Sequence, residues 1–302
     1  MKKVLKWIGI VLGGLVGLVV IAAAIGYFSG KSKLTKVYEY APENIPVPSG
    51  SEAVAQGQYL VEHWMLCADC HGKDLGGGEF VNDPMLGVIP APNLTSGQGG
   101  IGSSYTDADW IRALRHGIRP NGEVLVIMPA EAYTLVDADE LGAMIAYLKT
   151  LPPVDREIET RQLTPVAFIM MGLGIIPETD LLPASKINHD DVPLVAPDRG
   201  VTVDYGEYRA LSCKGCHAEN FAGFPPDPNF GSEAVPNLTP GGELAGWTEA
   251  DFITTLQTGV TPGGHELDPL AMPWPGIGTA DEDELQALWL YLRSLPALPN
   301  NE

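Results

Sequence analysis

The hydrophobic pattern of the chain divides into one long apolar run followed by short blocks at helical spacing. Residues 7–28 read WIGIVLGGLVGLVVIAAAIGYF without a single charge. Twenty-two residues of helix rise about 33 Å, enough to cross ~30 Å of hydrocarbon. Further along, apolar residues recur at intervals of three and four, as in Leu141, Met144, Ile145 and Leu148, the stripe of an amphipathic helix. Gly- and Pro-rich loops separate such blocks. No stretch alternates convincingly with period two, so the pattern predicts an all-α fold.

Three helices are expected in each half of the chain. The first spans residues 52–70, and again 205–216. The second opens at Thr106 and at Thr248, with Asp109 and Asp251 three residues on, a capping-box spacing. The third spans 137–151 with Glu140 at the reciprocal capping position, and 279–295 with Glu282 there; its apolar stripe is expected to lie on the first helix. Pro152 and Pro296 stop these helices.

This symmetry extends to the residues themselves. Tyr59 matches Tyr208, Pro92-Asn93-Leu94-Thr95 matches Pro236-Asn237-Leu238-Thr239, and Ala108-Asp109-Trp110 matches Ala250-Asp251-Phe252. Gly117 pairs with Gly259, Met128-Pro129 with Met272-Pro273, and Glu140 with Glu284. One module is written twice. The expected organisation is an anchor at 1–36, a first module at 37–155, a Pro-rich linker at 156–200 and a second module at 201–302. Pro165, Pro177, Pro183, Pro193 and Pro197 should keep the linker extended. Its apolar run at 166–176 is too short to span a membrane and should lie on a domain surface, on lipid or on a partner.

The N-terminal run has a competing reading as a cleaved signal peptide, given Ala22-Ala23-Ala24. A signal core is usually ~7–15 residues, so a membrane anchor is favoured. Trp7 and Tyr27 sit at its ends, where amphipathic rings settle at the headgroups. Gly9, Gly13 and Gly17 line one face and could admit a partner helix. Lys2, Lys3 and Lys6 against Lys31, Lys33 and Lys36 leave the orientation open.

Charge changes the picture next. The chain carries 18 Lys and Arg against 38 Asp and Glu, a net of −20. Six of the basic residues are the lysines ahead of Glu39, so the remainder holds 12 basic and 38 acidic side chains, a net of −26. This balance argues against nucleic acid as a natural partner and favours a protein with a basic docking surface, with solubility or adaptation to the medium as the competing reading.

All four cysteines lie in two pentads, Cys67-Ala68-Asp69-Cys70-His71 and Cys213-Lys214-Gly215-Cys216-His217. C-x-x-C-H is the pattern of covalent haem attachment. Two thiols three residues apart on a helical turn can each form a thioether with a vinyl group, and the next residue offers an imidazole to the iron. A thioredoxin-like pair, a four-cysteine zinc site and a disulfide framework compete, but none requires His after the second Cys in both copies. For the other axial position Met128 and Met272 are the candidates, since both are followed by Pro and occupy equivalent places in the repeat; Met ligation suits electron transfer. His63, His116 and His265 are unpaired rivals. Pro92 and Pro236 could offer a carbonyl to the ligating His, and Arg112, Arg115, Trp110 and Trp247 could contact propionates.

Together, C-x-x-C-H, P-N-L-T, the T-x-A-D-[WF] helix start, Met-Pro and the closing Y-L-x-x-L-P resemble class I cytochrome c domains. They resemble in particular those of the cytochrome subunits of bacterial membrane-bound alcohol and gluconate dehydrogenases. The order anchor, haem, haem is also similar to the dihaem subunit of cbb-type terminal oxidases. The resemblance covers roughly 50–155 and 200–298 and implies two tandem class I domains with two covalently attached haem c. Cys67, Cys70, Cys213 and Cys216 would carry haem, with His71/Met128 and His217/Met272 as axial ligands. It implies a bacterial inner-membrane protein with a cytoplasmic N-terminus and periplasmic haem domains. Such a protein passes electrons from a quinol-oxidising complex or dehydrogenase to an oxidase or reaction centre, within a respiratory or photosynthetic complex. The alternative is a dihaem redox enzyme of peroxidase or thiosulfate-oxidising type, with one open iron.

Overall fold

A computed structural model describes residues 2–190, 194–226, 234–269 and 271–302; Pro193 of the linker lies outside them. In chain order the helices are α1 (Lys2–Leu34), α2 (Ser51–Tyr59), α3 (Cys67–His71), α4 (Asp107–His116), α5 (Ala138–Leu148), α6 (Pro165–Gly172), α7 (Glu178–Leu181), α8 (Val203–Arg209), α9 (Lys214–His217), α10 (Glu249–Thr258), α11 (Trp274–Ile277) and α12 (Glu282–Ser294). The strands are β1 (Gly78–Asp83), β2 (Gly87–Ala91) and β3 (Gln162–Leu163). The chain divides into two compact units that cut across its order. The first comprises Met1–Asn44, Gly76–Thr134 and Pro152–Asp191, and the second Ile45–Leu75, Leu135–Leu151 and Val192–Glu302.

In the first unit, α1 is one helix of 33 residues, long and apolar enough to cross a membrane, and no part of its apolar window is buried within the chain. Helix α6 lies against its C-terminal third. A Cβ on Gly30 would stand 2.0 Å from the Phe168 carbonyl oxygen, and one on Gly172 would stand 1.8 Å from that of Gly26. Only glycine permits this approach. Lys33 Nζ then donates to the Met171 carbonyl at 3.2 Å, at the C-terminal end of α6 where a cation is favoured. Among the described residues nothing comes within 4 Å of a Cβ placed on Gly9, Gly13 or Gly17, the expected groove. The apolar run at 166–176 thus finds its partner within the protein, on α1.

The expectation of an all-α fold needs correction, because β1, β2 and β3 form an antiparallel three-stranded sheet in that order. Asp83 turns the hairpin, its carboxylate accepting from the Met85 and Leu86 amides at 2.7 Å each. Gly87, at φ +106°, lets the Gln162 carbonyl come close enough that a Cβ would meet it at 2.0 Å. The strands are short and half-exposed, so little alternation marks them, and β3 joins from residues expected to be linker. Behind the sheet, Leu34, Ile89, Ile118, Val124, Met171 and Leu182 form a common core.

The second unit is built from two equivalent helix pairs. Helix α2 meets α5 where a Cβ on Gly57 would stand 1.9 Å from the Ala143 carbonyl, and α8 meets α12 where one on Gly206 would stand 1.9 Å from that of Ala287. The third helix of each module therefore lies on the first, as the stripe predicts. The first helix is not continuous to Cys70, however. It passes through a π-turn at Leu60–Trp64, and Leu66 takes φ +51° before α3 begins. That turn absorbs three residues that the second module lacks.

The capping boxes of α4 and α10 form as predicted, at Thr106/Asp109 and Thr248/Asp251. Those of the third helices do not. Asp137 caps α5 alone, and α12 begins behind Asp281 rather than Thr279. Glu140 instead points inward, 5% exposed, as does Glu284 at 0%.

Candidate haem-attachment sites

Both pentads fold into a single helical turn, α3 and the stretch around α9. Each exits through the same backbone path. Gly72, Leu75 and Gly77 take φ values of +76°, +51° and +73°; Ala218, Phe221 and Gly223 take +69°, +58° and +71°. Leu75, Ala218 and Phe221 adopt this left-handed region without being glycine, a strain that persists where surrounding contacts over-determine it.

In the second module the whole site lies in one unit. A Cβ on Gly223 would stand 2.2 Å from the Val235 carbonyl and 2.8 Å from the Pro236 carbonyl carbon, so glycine here lets that loop pass over the haem motif. The Pro236 carbonyl thereby reaches His217 and accepts from Nδ1 at 2.9 Å. With the proton held at Nδ1, Nε2 keeps its lone pair, the tautomer an iron ligand requires. Burial lowers the His217 pKa, partly countered by this carbonyl, and keeps the ring neutral.

The P-N-L-T loop is itself clamped. Asn237 is buried; its Oδ1 accepts from the Thr239 amide and hydroxyl at 2.8 and 2.7 Å, and its Nδ2 donates to the Leu298 carbonyl at 2.9 Å. In the first unit Asn93 repeats the pattern, accepting from Thr95 at 2.9 and 2.8 Å and donating to the Val154 carbonyl at 2.8 Å. This clamp was missed in the sequence; the signal available was that Asn and Thr, not only Pro, recur in both copies.

No disulfide joins Cys67, Cys70, Cys213 and Cys216. Among the described residues no group of three or more His, Cys, Asp or Glu gathers as a metal cluster, so a four-cysteine zinc site is not assembled. Burial pushes the Cys67 thiol up to about 12, and Cys70 and Cys213 to about 11. A redox-active C-x-x-C pair lowers its thiol pKa instead. The donor set thus fits haem attachment better than its rivals.

Met272 lies in the loop ahead of α11, its amide donating to Asp268 at 2.9 Å and its carbonyl accepting from Trp274 at 2.7 Å. Its unit is that of His217. Met128 belongs to the first unit, whereas Cys67, Cys70 and His71 belong to the second; Ile127 ahead of Met128 takes φ +67°. The rival histidines are engaged elsewhere or exposed. His63 Nδ1 contacts Thr279 Oγ1 at 2.8 Å, His116 contacts Glu43 at 3.1 Å and His189 at 3.2 Å, and His265 lies on the surface. Of the suggested propionate contacts, Arg112 pairs with Asp109 at 2.8 Å and Arg115 with Glu43 at 2.6 Å. Trp247 is half-buried, while Trp110 is buried with Nε1 unpartnered.

Residues 52–148 match the family described as cytochrome C oxidase, cbb3-type, subunit III. The chain is 29% identical over 281 residues to the fructose dehydrogenase cytochrome subunit of Gluconobacter japonicus, which covers 87% of this chain and 57% of that one. It is 27% identical over 290 residues to the cytochrome c subunit of alcohol dehydrogenase (quinone) from Gluconacetobacter polyoxogenes, covering 84% and 58%. It is 28% identical over 261 residues to a diheme cytochrome c-type protein of Cereibacter sphaeroides, covering 77% and 82%. The chain spans a little over half the length of the dehydrogenase subunits it matches. Residues 52–148 thus resemble a cytochrome domain, and the chain more widely is similar to the cytochrome subunits of fructose and alcohol dehydrogenases and to a diheme cytochrome c-type protein.

Proposed function

We propose that this chain is a membrane-anchored dihaem electron carrier. Its two haem c groups would be held at Cys67, Cys70, Cys213 and Cys216, with His71/Met128 and His217/Met272 as axial pairs. When bound, each haem supplies a one-electron iron couple. The protein's part is to hold imidazole and thioether in place and to exclude water, so that little rearranges when the charge changes. The observation that carries the reading is the Pro236 carbonyl on His217 Nδ1 at 2.9 Å, within a motif present twice. Similarity to the dehydrogenase subunits and to the diheme protein supports it.

Helix α1 would anchor the chain in a bacterial inner membrane with the N-terminus in the cytoplasm. The haem domains would face the periplasm, where c-type haem is attached. Electrons would pass from a quinol-oxidising complex or a dehydrogenase to an oxidase or reaction centre. The net charge of −26 beyond the anchor favours partners with basic docking surfaces.

Absorption of the detergent-extracted protein tests this. Two haems per chain, a weak far-red Met–iron band when oxidised and no change with carbon monoxide when reduced are expected. A carbon monoxide shift in half of the haem would instead mark one open iron, and a dihaem enzyme would replace the carrier.

A further inference from the structure

Helix α6 is apolar on every side, yet only part of its circumference is covered within the first unit. Its sequence PVAFIMMG holds no polar side chain, and residues 162–177 carry no charge. Ala167 and Met171, four residues apart, are buried, Met171 in the core behind the sheet. Phe168, Ile169 and Gly172 form the side that meets α1 at Gly26 and Gly30. Val166, Met170 and Leu173, at intervals of four and three, make the remaining stripe; Val166 and Leu173 are exposed and Met170 is half-exposed. Ile175 follows the turn at Gly174 and is 63% exposed. A helix that is hydrophobic all round belongs in a protein core or in lipid, and here the core takes one side only.

Alongside it, α1 presents the same kind of surface. Ile21, Ile25 and Phe28 are exposed, Tyr27 stands edge-on to Phe168 at 5.5 Å, and a Cβ on Gly26 would meet Leu173 Cγ at 2.9 Å. One polar border closes both elements. Lys31 and Lys33 end the apolar run of α1, Glu178 ends the run at 166–176, and Lys33 Nζ pairs with Glu178 at 3.4 Å. Gly26 precedes Lys31 by five residues, about 7.5 Å along a helix axis, so Leu173 stands at that depth below the first cation. Interfacial helices bury their apolar face ~5–10 Å into the boundary between headgroups and acyl chains. We propose that α6 and the turn to Ile176 form a second membrane-contact element, with Val166, Met170, Leu173 and Ile175 seated in lipid at the C-terminal end of α1. The proposal rests on the reading of α1 as an anchor. The bilayer is the occupant because the stripe continues the apolar surface of α1 and stops at the same charged border. A lone spanning helix takes its tilt and rotation from its neighbours and its interfacial anchors. The second contact, joined to α1 by glycine-close packing, therefore fixes how the first unit stands on the membrane.

Spin-label accessibility in the full-length protein, reconstituted into vesicles of phosphatidylcholine and phosphatidylglycerol, tests this. Labels are attached through Val166→Cys and Ile175→Cys. Leu15→Cys in α1 gives a lipid reference and Ala250→Cys, on the exposed start of α10 between Glu249 and Asp251, an aqueous one. Wild-type protein carried through the same labelling supplies the background from the native cysteines. Collisions with oxygen should exceed those with a water-soluble nickel chelate at positions 166, 175 and 15, and the order should reverse at 250. Labels at 166 and 175 that meet mainly nickel, while position 15 keeps its lipid signature, would overturn the second contact and leave the anchor standing. Labels there that are shielded from both reagents would mean that a partner subunit or a second copy covers the stripe, which also overturns the proposal. Nickel reaching position 15 would sink the anchor reading itself.

Discussion

The Tyr208 hydroxyl donates a hydrogen bond of 2.6 Å to Glu140, a carboxylate 68 residues earlier in the chain. The repeat makes the same contact in reverse, since Tyr59 donates to Glu284. Each tyrosine oxygen also accepts the amide that opens the opposite third helix, from Asp137 at 2.9 Å and Asp281 at 2.8 Å. The two modules thus exchange equivalent bonds within the second unit. Arg209 breaks the symmetry. Its guanidinium reaches Glu140 at 2.8 Å and Glu284 at 3.0 Å, and the rings of Trp64, Tyr205 and Tyr208 lie within 5.5 Å of it.

Because both carboxylates are buried, removing their shared cation should be severe. Arg209→Met is expected to destabilise the second unit by about 3–5 kcal/mol, the usual effect of breaking a buried pair. Guanidinium chloride unfolding of the extracted protein measures it. Adding Glu140→Gln should recover part of the loss, and strict additivity of the two changes would refute the coupling.

The P-N-L-T clamp should matter both to stability and to the ligand. Asn237→Ala removes bonds to Leu298 and Thr239 and should lower stability by about 1–3 kcal/mol. Loss of the clamp frees the Pro236 carbonyl, so the far-red band of one haem should weaken or shift. A melting-temperature change with an unaltered band would mean the clamp does not orient His217.

Close backbone contact at Gly57 and Gly206 leaves no room for a side chain. Alanine at either place would put its Cβ 1.9 Å from a carbonyl oxygen and should destabilise by about 1–3 kcal/mol or more. Gly14→Ala, with nothing within 4 Å, should leave the melting temperature unchanged. Equal effects at the two kinds of site would contradict the helix contacts.

Acid should loosen the first unit through Glu43. Burial raises its pKa, but the hydrogen bond from His116, a backbone bond and the Arg115 charge outweigh this and hold it below the ordinary carboxylate value. A depressed pKa contributes stability above the unfolded value and loses it as the pH falls through the folded one. Thermal stability should therefore fall on acidification through and below the ordinary carboxylate range. Glu43→Gln should flatten that dependence, and an unchanged pH profile in the variant would show that another group is responsible.

Much of the local architecture was legible in the sequence, and the reasons are local. A capping box needs Thr and Asp three residues apart, so α4 and α10 could be placed from Thr106 and Thr248. The stripe Leu141, Met144, Ile145, Leu148 announced which face of α5 would be covered. The same rule misled at Glu140, which has the capping spacing behind Asp137 yet turns inward, because Tyr208 and Arg209 offer a charged, buried partner that water at a helix end cannot match.

The sequence by itself determined what neighbouring residues specify: the apolar length of α1, the duplicated C-x-x-C-H pentads and the boundaries punctuated by Thr, Asp and Pro. Only the tertiary structure decided which distant groups meet. Strand β3 is two residues of no marked propensity until β2 supplies its hydrogen bonds. Glycine at 30, 57 and 206 looks like a flexible residue until another backbone passes within contact of it. Such features depend on desolvation and approach between segments tens of residues apart, which spacing along the chain does not encode.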